Sequence, residues 1–148
     1  MIKLLIPAIA VAAGALACAP ARADFSGCDA ALRAKDPHQQ IDLYTVCLKH
    51  GGLTSSDAAG ALNNRGVAYQ SIGETDKALQ DYIAATKYDP GWPLFRVNRA
   101  AAEARMGQCA EALFDINTAL KMAPHNKQFL ELKDHIVADC PIVSKPSG

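Results

Sequence analysis

The chain has 148 residues, with 15 Lys and Arg against 15 Asp and Glu, 50% apolar residues, 10 Gly, 8 Pro and 5 Cys. That is one ordinary globular domain and excludes a collagen-like or an acidic disordered chain. A net charge of zero on a mixed-sign sequence leaves no basic footprint for phosphates, which excludes nucleic acid as the main partner.

Residues 1–23 read as a secretory signal. Lys3 precedes an apolar stretch from Leu4 to Leu16, and Ala21-Arg22-Ala23 places small residues around one position, as signal peptidase requires. Cleavage is predicted before Asp24. The apolar run of about 13 residues is short of the roughly 20 that span a bilayer. Cys18 offers a second reading, a lipidated N-terminal cysteine at a membrane, but Ala15 stands where such signals prefer a larger aliphatic residue. Removing the signal takes away Lys3 and Arg22 and no acid, leaving a net charge of about −2. Cys28, Cys47, Cys109 and Cys140 remain. An even cysteine count in an exported chain points to disulfides, with three connectivities open, and to a periplasmic or secreted location.

In chain order, a short helix is predicted around Cys28 to Ala34. A second follows within Pro37 to His50, where Gln40, Tyr44 and Cys47 keep helical spacing ahead of a Gly51-Gly52 loop. A longer helix begins near Ser56, carries Leu62, Gly66, Tyr69 and Ile72 on one face, and stops at Gly73, which suits a left-handed cap. Thr75 is predicted to cap the next helix, whose apolar stripe of Ala78, Leu79, Tyr82 and Ala85 ends at Pro90. The same unit recurs at an offset of 34. Gly107, Ala112, Leu113, Asp115, Ala119, Lys121 and Pro124 repeat Gly73, Ala78, Leu79, Asp81, Ala85, Lys87 and Pro90, and Asn98-Arg99 repeats Asn64-Arg65. Residues 126–138 carry Phe129, Leu130, Leu132, Lys133, Ile136 and Val137 in helical rhythm, and residues 141–148 read as a loose tail.

Gly66, Tyr69, Gly73, Ala78, Tyr82, Ala85 and Pro90 resemble the signature of the tetratricopeptide repeat, and the chain looks like a small exported bacterial member of that family. The second copy keeps Ala100, Gly107, Ala112, Ala119 and Pro124 but departs at Glu103 and Ile116, where the signature has aromatics. Near the start of the first helix, Leu62 and Arg96 replace its large aromatic. The resemblance implies an all-α, right-handed solenoid of helical hairpins with about 2.5 repeats. Its parts would be a degenerate N-terminal repeat and loop over 24–58, repeats over 59–92 and 93–124, a capping helix over 125–140 and the tail over 141–148. Antiparallel stacking of such hairpins implies the bridges Cys28–Cys47 and Cys109–Cys140. Each would pin a terminal unit and contribute on the order of 3–4 kcal/mol.

The residues point away from catalysis. His38, His50, His125 and His135 stand alone, without metal-ligand spacing along a helix, and no Cys-x-x-Cys, Gly-x-Ser-x-Gly or phosphate-cradling glycine motif occurs. Asp115 and Glu111 read as an i, i+4 pair on a solvated face. No enzyme activity, cofactor or metal is expected. The resemblance implies instead that the first helix of each hairpin lines a concave face holding an extended peptide or a partner helix. Carried over by position, that lining is Asn63, Asn64, Val67, Gln70 and Ser71, followed by Val97, Asn98, Ala101, Ala104 and Arg105. Asn64 and Asn98 either grip a ligand's backbone or bond across helices within the array, and Arg105 is placed to take a carboxylate. Arg65 and Arg99 are expected to pair with Asp81 and Asp115. The carboxylate clamp of some family members needs further cations where this chain has Asn63, Val67, Val97 and Ala101.

The expected role is therefore an adaptor or assembly factor with a protein or peptide partner. Affinity would be modest, because two repeats fall short of the roughly 800 Å² per partner of a stable interface unless self-association extends the groove. The alternative is a structural component of an envelope complex, anchored through a lipidated Cys18.

Overall fold

The computed structural model describes residues 26–50 and 52–140. The predicted signal over 1–23, Cys18 and the tail over 141–148 lie outside the described residues, as does Gly51. Seven helices follow one another among the described residues: α1 (Ser26–Arg33), α2 (Pro37–Lys49), α3 (Ser55–Ser71), α4 (Thr75–Tyr88), α5 (Pro93–Arg105), α6 (Cys109–Met122) and α7 (Lys127–Asp139).

Each start and stop has a local cause. Asp36 caps α2 by accepting the Gln39 backbone N–H at 2.9 Å, with Pro37 in the first turn, where its missing N–H costs nothing. Thr54 caps α3 by accepting the Asp57 N–H while its own hydroxyl donates to the Asp57 carboxylate at 2.6 Å. Asn126 caps α7 through the Phe129 N–H. Gly73 and Gly107 close α3 and α5 with φ of 82° and 74°. Beyond each glycine the backbone turns back in the same way, Glu74 N–H donating to Tyr69 O and Gln108 N–H to Glu103 O. This is a left-handed terminus that only glycine adopts without strain. Thr75 is not the cap it was expected to be. The preceding Glu74 holds the cap position without a side-chain bond, and Thr75 N–H donates to Gly73 O at 2.9 Å, so the tight link after the glycine does the capping itself.

Consecutive helices pack as antiparallel hairpins, α1 with α2, α3 with α4 and α5 with α6, and α7 closes on α6. α5 also touches α3 and α7, so the first helices of successive hairpins form an inner layer and α4 and α6 an outer one. Small residues set the spacing. Ala78, Ala85, Ala100, Ala112 and Ala119 are fully buried. A Cβ added to Gly66 would lie 2.7 Å from the Tyr82 ring, so the fully buried Tyr82 occupies the space that glycine vacates. The last hairpin and α7 share one core of Val97, Ile116, Phe129 and Ile136. The solenoid is all-α, and its last helix covers that core while leaving Leu130 and Val137 exposed.

Cys28 stands beside Cys47 and Cys109 beside Cys140, with Cα–Cα separations of 5.3 and 5.8 Å that suit disulfides. The first pair ties α1 to its hairpin partner α2, and the second ties the closing helix α7 to α6.

Candidate functional site

On the inner layer, α3 and α5 carry the residues expected to meet a partner, and burial divides them. Val67 is 48% exposed, Arg105 is exposed, and Asn64, Gln70, Asn98 and Ala101 are half-buried. Asn63 and Val97 do not line the groove. Asn63 is 5% exposed and turned to Asn98 of the neighbouring helix, and Val97 belongs to the last core, so both are used in helix–helix packing.

The amides form a relay across three helices. Asn98 Nδ2 donates to Asn63 Oδ1 at 2.7 Å, and Asn63 Nδ2 donates to Asn64 Oδ1 at 3.3 Å. Beyond it, burial pushes the Tyr44 hydroxyl pKa up, and a side-chain hydrogen bond with Asn64 opposes that rise. Of the two roles open to Asn64 and Asn98, bonding within the array is therefore occupied, and the buried Asn63 is its middle link. At the other end of the inner face, the Tyr82 hydroxyl donates to Gln70 Oε1 at 2.8 Å. Burial drives the Tyr82 pKa upward while the charge of Arg105 acts against it. Asn64 also borders a groove of about 340 Å³ between α1 and α3, above Tyr44, with Leu32, Leu53 and Ala61 as its apolar lining and Asp29 and Asp57 at its edge. Leu32 and Leu53 were not foreseen as site residues, because the first hairpin departs too far from the repeat to be aligned.

On the outer layer two clefts repeat. One, of about 490 Å³, lies between α2 and α4 and includes Leu48, Leu62, Arg65, Ala84 and Tyr88. The other, of about 500 Å³, lies between α4 and α6 over α5 and includes Ile83, Arg99, Glu103, Glu111, Phe114 and Asp115. In the first, Arg65 grips Asp81 with both Nε and Nη2, at 2.8 and 2.7 Å, and donates from Nη1 to Thr45 Oγ1 at 3.1 Å. Its guanidinium also lies 5.9 Å from the Tyr69 ring centroid. In the second, Arg99 holds Asp115 by the same two-pronged contact, and Arg96 Nη1 donates to Asp115 at 3.2 Å. Hydrogen bonding to these carboxylates holds both Arg65 and Arg99 above the usual arginine pKa. The expected pairings of Arg65 and Arg99 are thus both present. The expected solvated pair of Asp115 with Glu111 is not, since Asp115 is 1% exposed and belongs to the arginines.

Glu103 occupies the place of Tyr69 in the second cleft. It is 6% exposed, its Oε1 lies 3.5 Å from Arg99 Nε, and its Oε2 has no hydrogen-bond partner, as is also true of Arg96 Nε. Desolvation, followed by the Asp115 charge, raises its pKa from 4.5 to about 7. Only its departure from the aromatic pattern marked it in the sequence.

Antiparallel hairpins laid in register, with two closing glycines and arginine–aspartate clamps that recur from one to the next, define a class: the α-helical-hairpin solenoid. The hairpins have the fold of tetratricopeptide repeats. Human tetratricopeptide repeat protein 28 is 30% identical over 91 residues, 60% of this chain, and the chain spans about 4% of that protein's length. The second tetratricopeptide domain of human RPAP3, solved with an HSP70 peptide, is 25% identical with a TM-score of 0.68, the match covering 77% of this chain and 94% of that one. The Yersinia enterocolitica type III secretion chaperone SycD, solved with a peptide of the translocator YopD, shares the fold at 17% identity and a TM-score of 0.61, over 80% of this chain and 88% of that one. No protein-family model matches the chain.

Proposed function

We propose that the protein is an exported protein–protein interaction module, an adaptor or assembly factor, that holds an extended peptide or a partner helix along its inner face. The observation that carries this reading is the continuity of that face. The apolar groove of Leu32, Leu53 and Ala61 meets Asn64 at its edge, and exposed Val67 lies one helical turn further along α3. The peptide complex of the RPAP3 domain supports a solenoid of this kind that receives a chain segment.

The chemistry of the groove selects its occupant. The HSP70 peptide SGPTIEEVD is acidic toward its end, whereas here Asp29 and Asp57 edge the groove and Arg105 is the one cation among the residues carried over. An acidic segment would be repelled at the α1 end, so the fitting ligand is an apolar segment without carboxylates there. The cysteine pairs at disulfide distance support an oxidising compartment, and no helix among the described residues is long and apolar enough to cross a membrane.

Capture from a periplasmic extract with the full chain as bait tests the reading. Leu32→Arg and Val67→Arg should each abolish retention of the principal partner without loss of helicity. Undiminished retention by both variants would remove the inner face from the interaction. The mass of the mature N-terminus separates the anchored alternative, which requires an acyl group on Cys18 rather than a chain beginning at Asp24.

A further inference from the structure

The outer cleft between α4 and α6 differs from its counterpart one hairpin earlier in a way that packing does not explain. Between α2 and α4, Arg65 is matched by Asp81, Thr45 and the Tyr69 ring. Between α4 and α6, three carboxylates, Glu103, Glu111 and Asp115, meet two guanidinium groups, Arg96 and Arg99. Both arginines hydrogen-bond Asp115 and only Arg99 reaches Glu103, 3.5 Å from its Oε1, so of three negative charges against two positive ones the surplus falls to Glu103. It sits on a side chain more than nine-tenths buried, whose Oε2 lacks a partner and which lines an open cavity of about 500 Å³. Leaving a buried carboxylate oxygen unpaired is destabilising, so a ligand that supplies the missing donor as the carboxylate turns toward the cleft recovers that loss.

The cleft's flanks complete the description of that ligand. Ile83 and Phe114 line it and are 47% and 66% exposed. Phe114 stands where the preceding hairpin has Gln80, so one apolar wall comes from the hairpin that carries the surplus charge, and Ile83 on α4 supplies the other. A group with a donor-rich cationic head and an aliphatic stem fits both parts: the stem lies between Ile83 and Phe114, and the head reaches Glu103 with Glu111 beside it.

We infer that the α4–α6 cleft is a second docking site, separate from the inner face, which receives an arginine side chain presented between apolar residues by a partner protein. Arginine fits better than lysine because its planar fork can donate to Glu103 and Glu111 together and stack on the Phe114 ring.

The test uses the full ¹⁵N-labelled chain titrated with acetyl-Leu-Arg-Leu-amide, whose only charge is the guanidinium, and with acetyl-Leu-Gln-Leu-amide. Expected are saturable amide shifts centred on Glu103, Glu111, Phe114 and Ile83 with the arginine peptide alone. Glu103→Gln and Phe114→Ala should each weaken binding roughly tenfold, as expected for one charge-assisted hydrogen bond or one buried ring contact. A merely structural Glu103 would give equal affinities in wild type and Glu103→Gln, whose folded spectrum serves as the control, and that result overturns the inference. Equal binding of the glutamine peptide, or shifts centred on Asn98 and Ala101, also overturns it. Full chain bearing Lys145→Ala distinguishes an internal occupant: tighter peptide binding by that variant would assign the cleft to the chain's own lysine and overturn a partner's arginine.

Discussion

The α3–α4 and α5–α6 hairpins share a plan and differ in how their buried charges are satisfied. In both, an arginine on the first helix clamps an aspartate on the second, Arg65 to Asp81 and Arg99 to Asp115. In the first hairpin the neighbours are Leu62, Tyr69 and Tyr82, so the clamp is a single ion pair set among apolar and aromatic groups. In the second the equivalent positions hold Arg96, Glu103 and Ile116, and the clamp becomes a cluster of charges with one carboxylate oxygen and one arginine nitrogen unpaired. A repeat thus tolerates exchange of its filler residues as long as the clamp and the closing glycine remain. What the exchange changes is which surface the hairpin offers to something else.

The largest expected effect comes from cutting the clamps. Asp115→Ala removes the buried partner of two half-buried arginines and should cost about 3 kcal/mol in urea unfolding. Asp81→Ala frees only Arg65, which keeps Thr45 and the Tyr69 ring, and should cost distinctly less. Equal losses would show that Arg96 adds nothing to the second cluster. Reduction of the Cys109–Cys140 pair comes next. It should lower stability by about 2–4 kcal/mol and release amide protection first in α7, which packs on one side only. Gly66→Ala tests the filler itself. The added Cβ meets the fully buried Tyr82 ring and should cost about 1–3 kcal/mol. Pairing it with Tyr82→Ile recreates the Ala100 and Ile116 combination of the next hairpin and should recover most of that loss.

The smallest effect has the opposite sign. A carboxyl raised from 4.5 to about 7 in the folded chain keeps a proton that the unfolded chain has already released between those values. Its contribution to stability is therefore full below pH 4.5 and declines as pH rises through 7. Glu103→Gln removes the buried charge. At pH 8 it should be more stable than wild type by about 1–2 kcal/mol, and the two chains should converge on acidification. A wild-type chain no less stable than the variant at pH 8 would mean that Arg99 already compensates Glu103.

Much of this architecture was legible because it rests on local and periodic causes. The 34-residue offset, the glycines at 73 and 107 and the small residues at 66, 78, 85, 100, 112 and 119 each fix a backbone conformation or a helix spacing, and both leave marks in the sequence. The arginine–aspartate pairs were legible for the same reason, since they recur with the repeat. Less legible were Asn63 and Val97, whose faces depend on how α3 and α5 are rotated against their neighbours. Asp115 looked solvated because i, i+4 spacing cannot tell an outer face from one covered by an adjacent helix. The groove beside Leu32 was hidden because the first hairpin lacks the pattern that would align it.

The sequence by itself determined the helices, their pairing into hairpins and the register of one hairpin on the next, because turn chemistry and apolar period act over a few residues. Only the tertiary structure decided which polar groups are used up inside the array and which remain. Asn98 is spent on Asn63, Asp115 on two arginines, and Glu103 is left one partner short. That balance depends on donors and acceptors brought together from three helices at once, and no spacing along the chain encodes the distances between them.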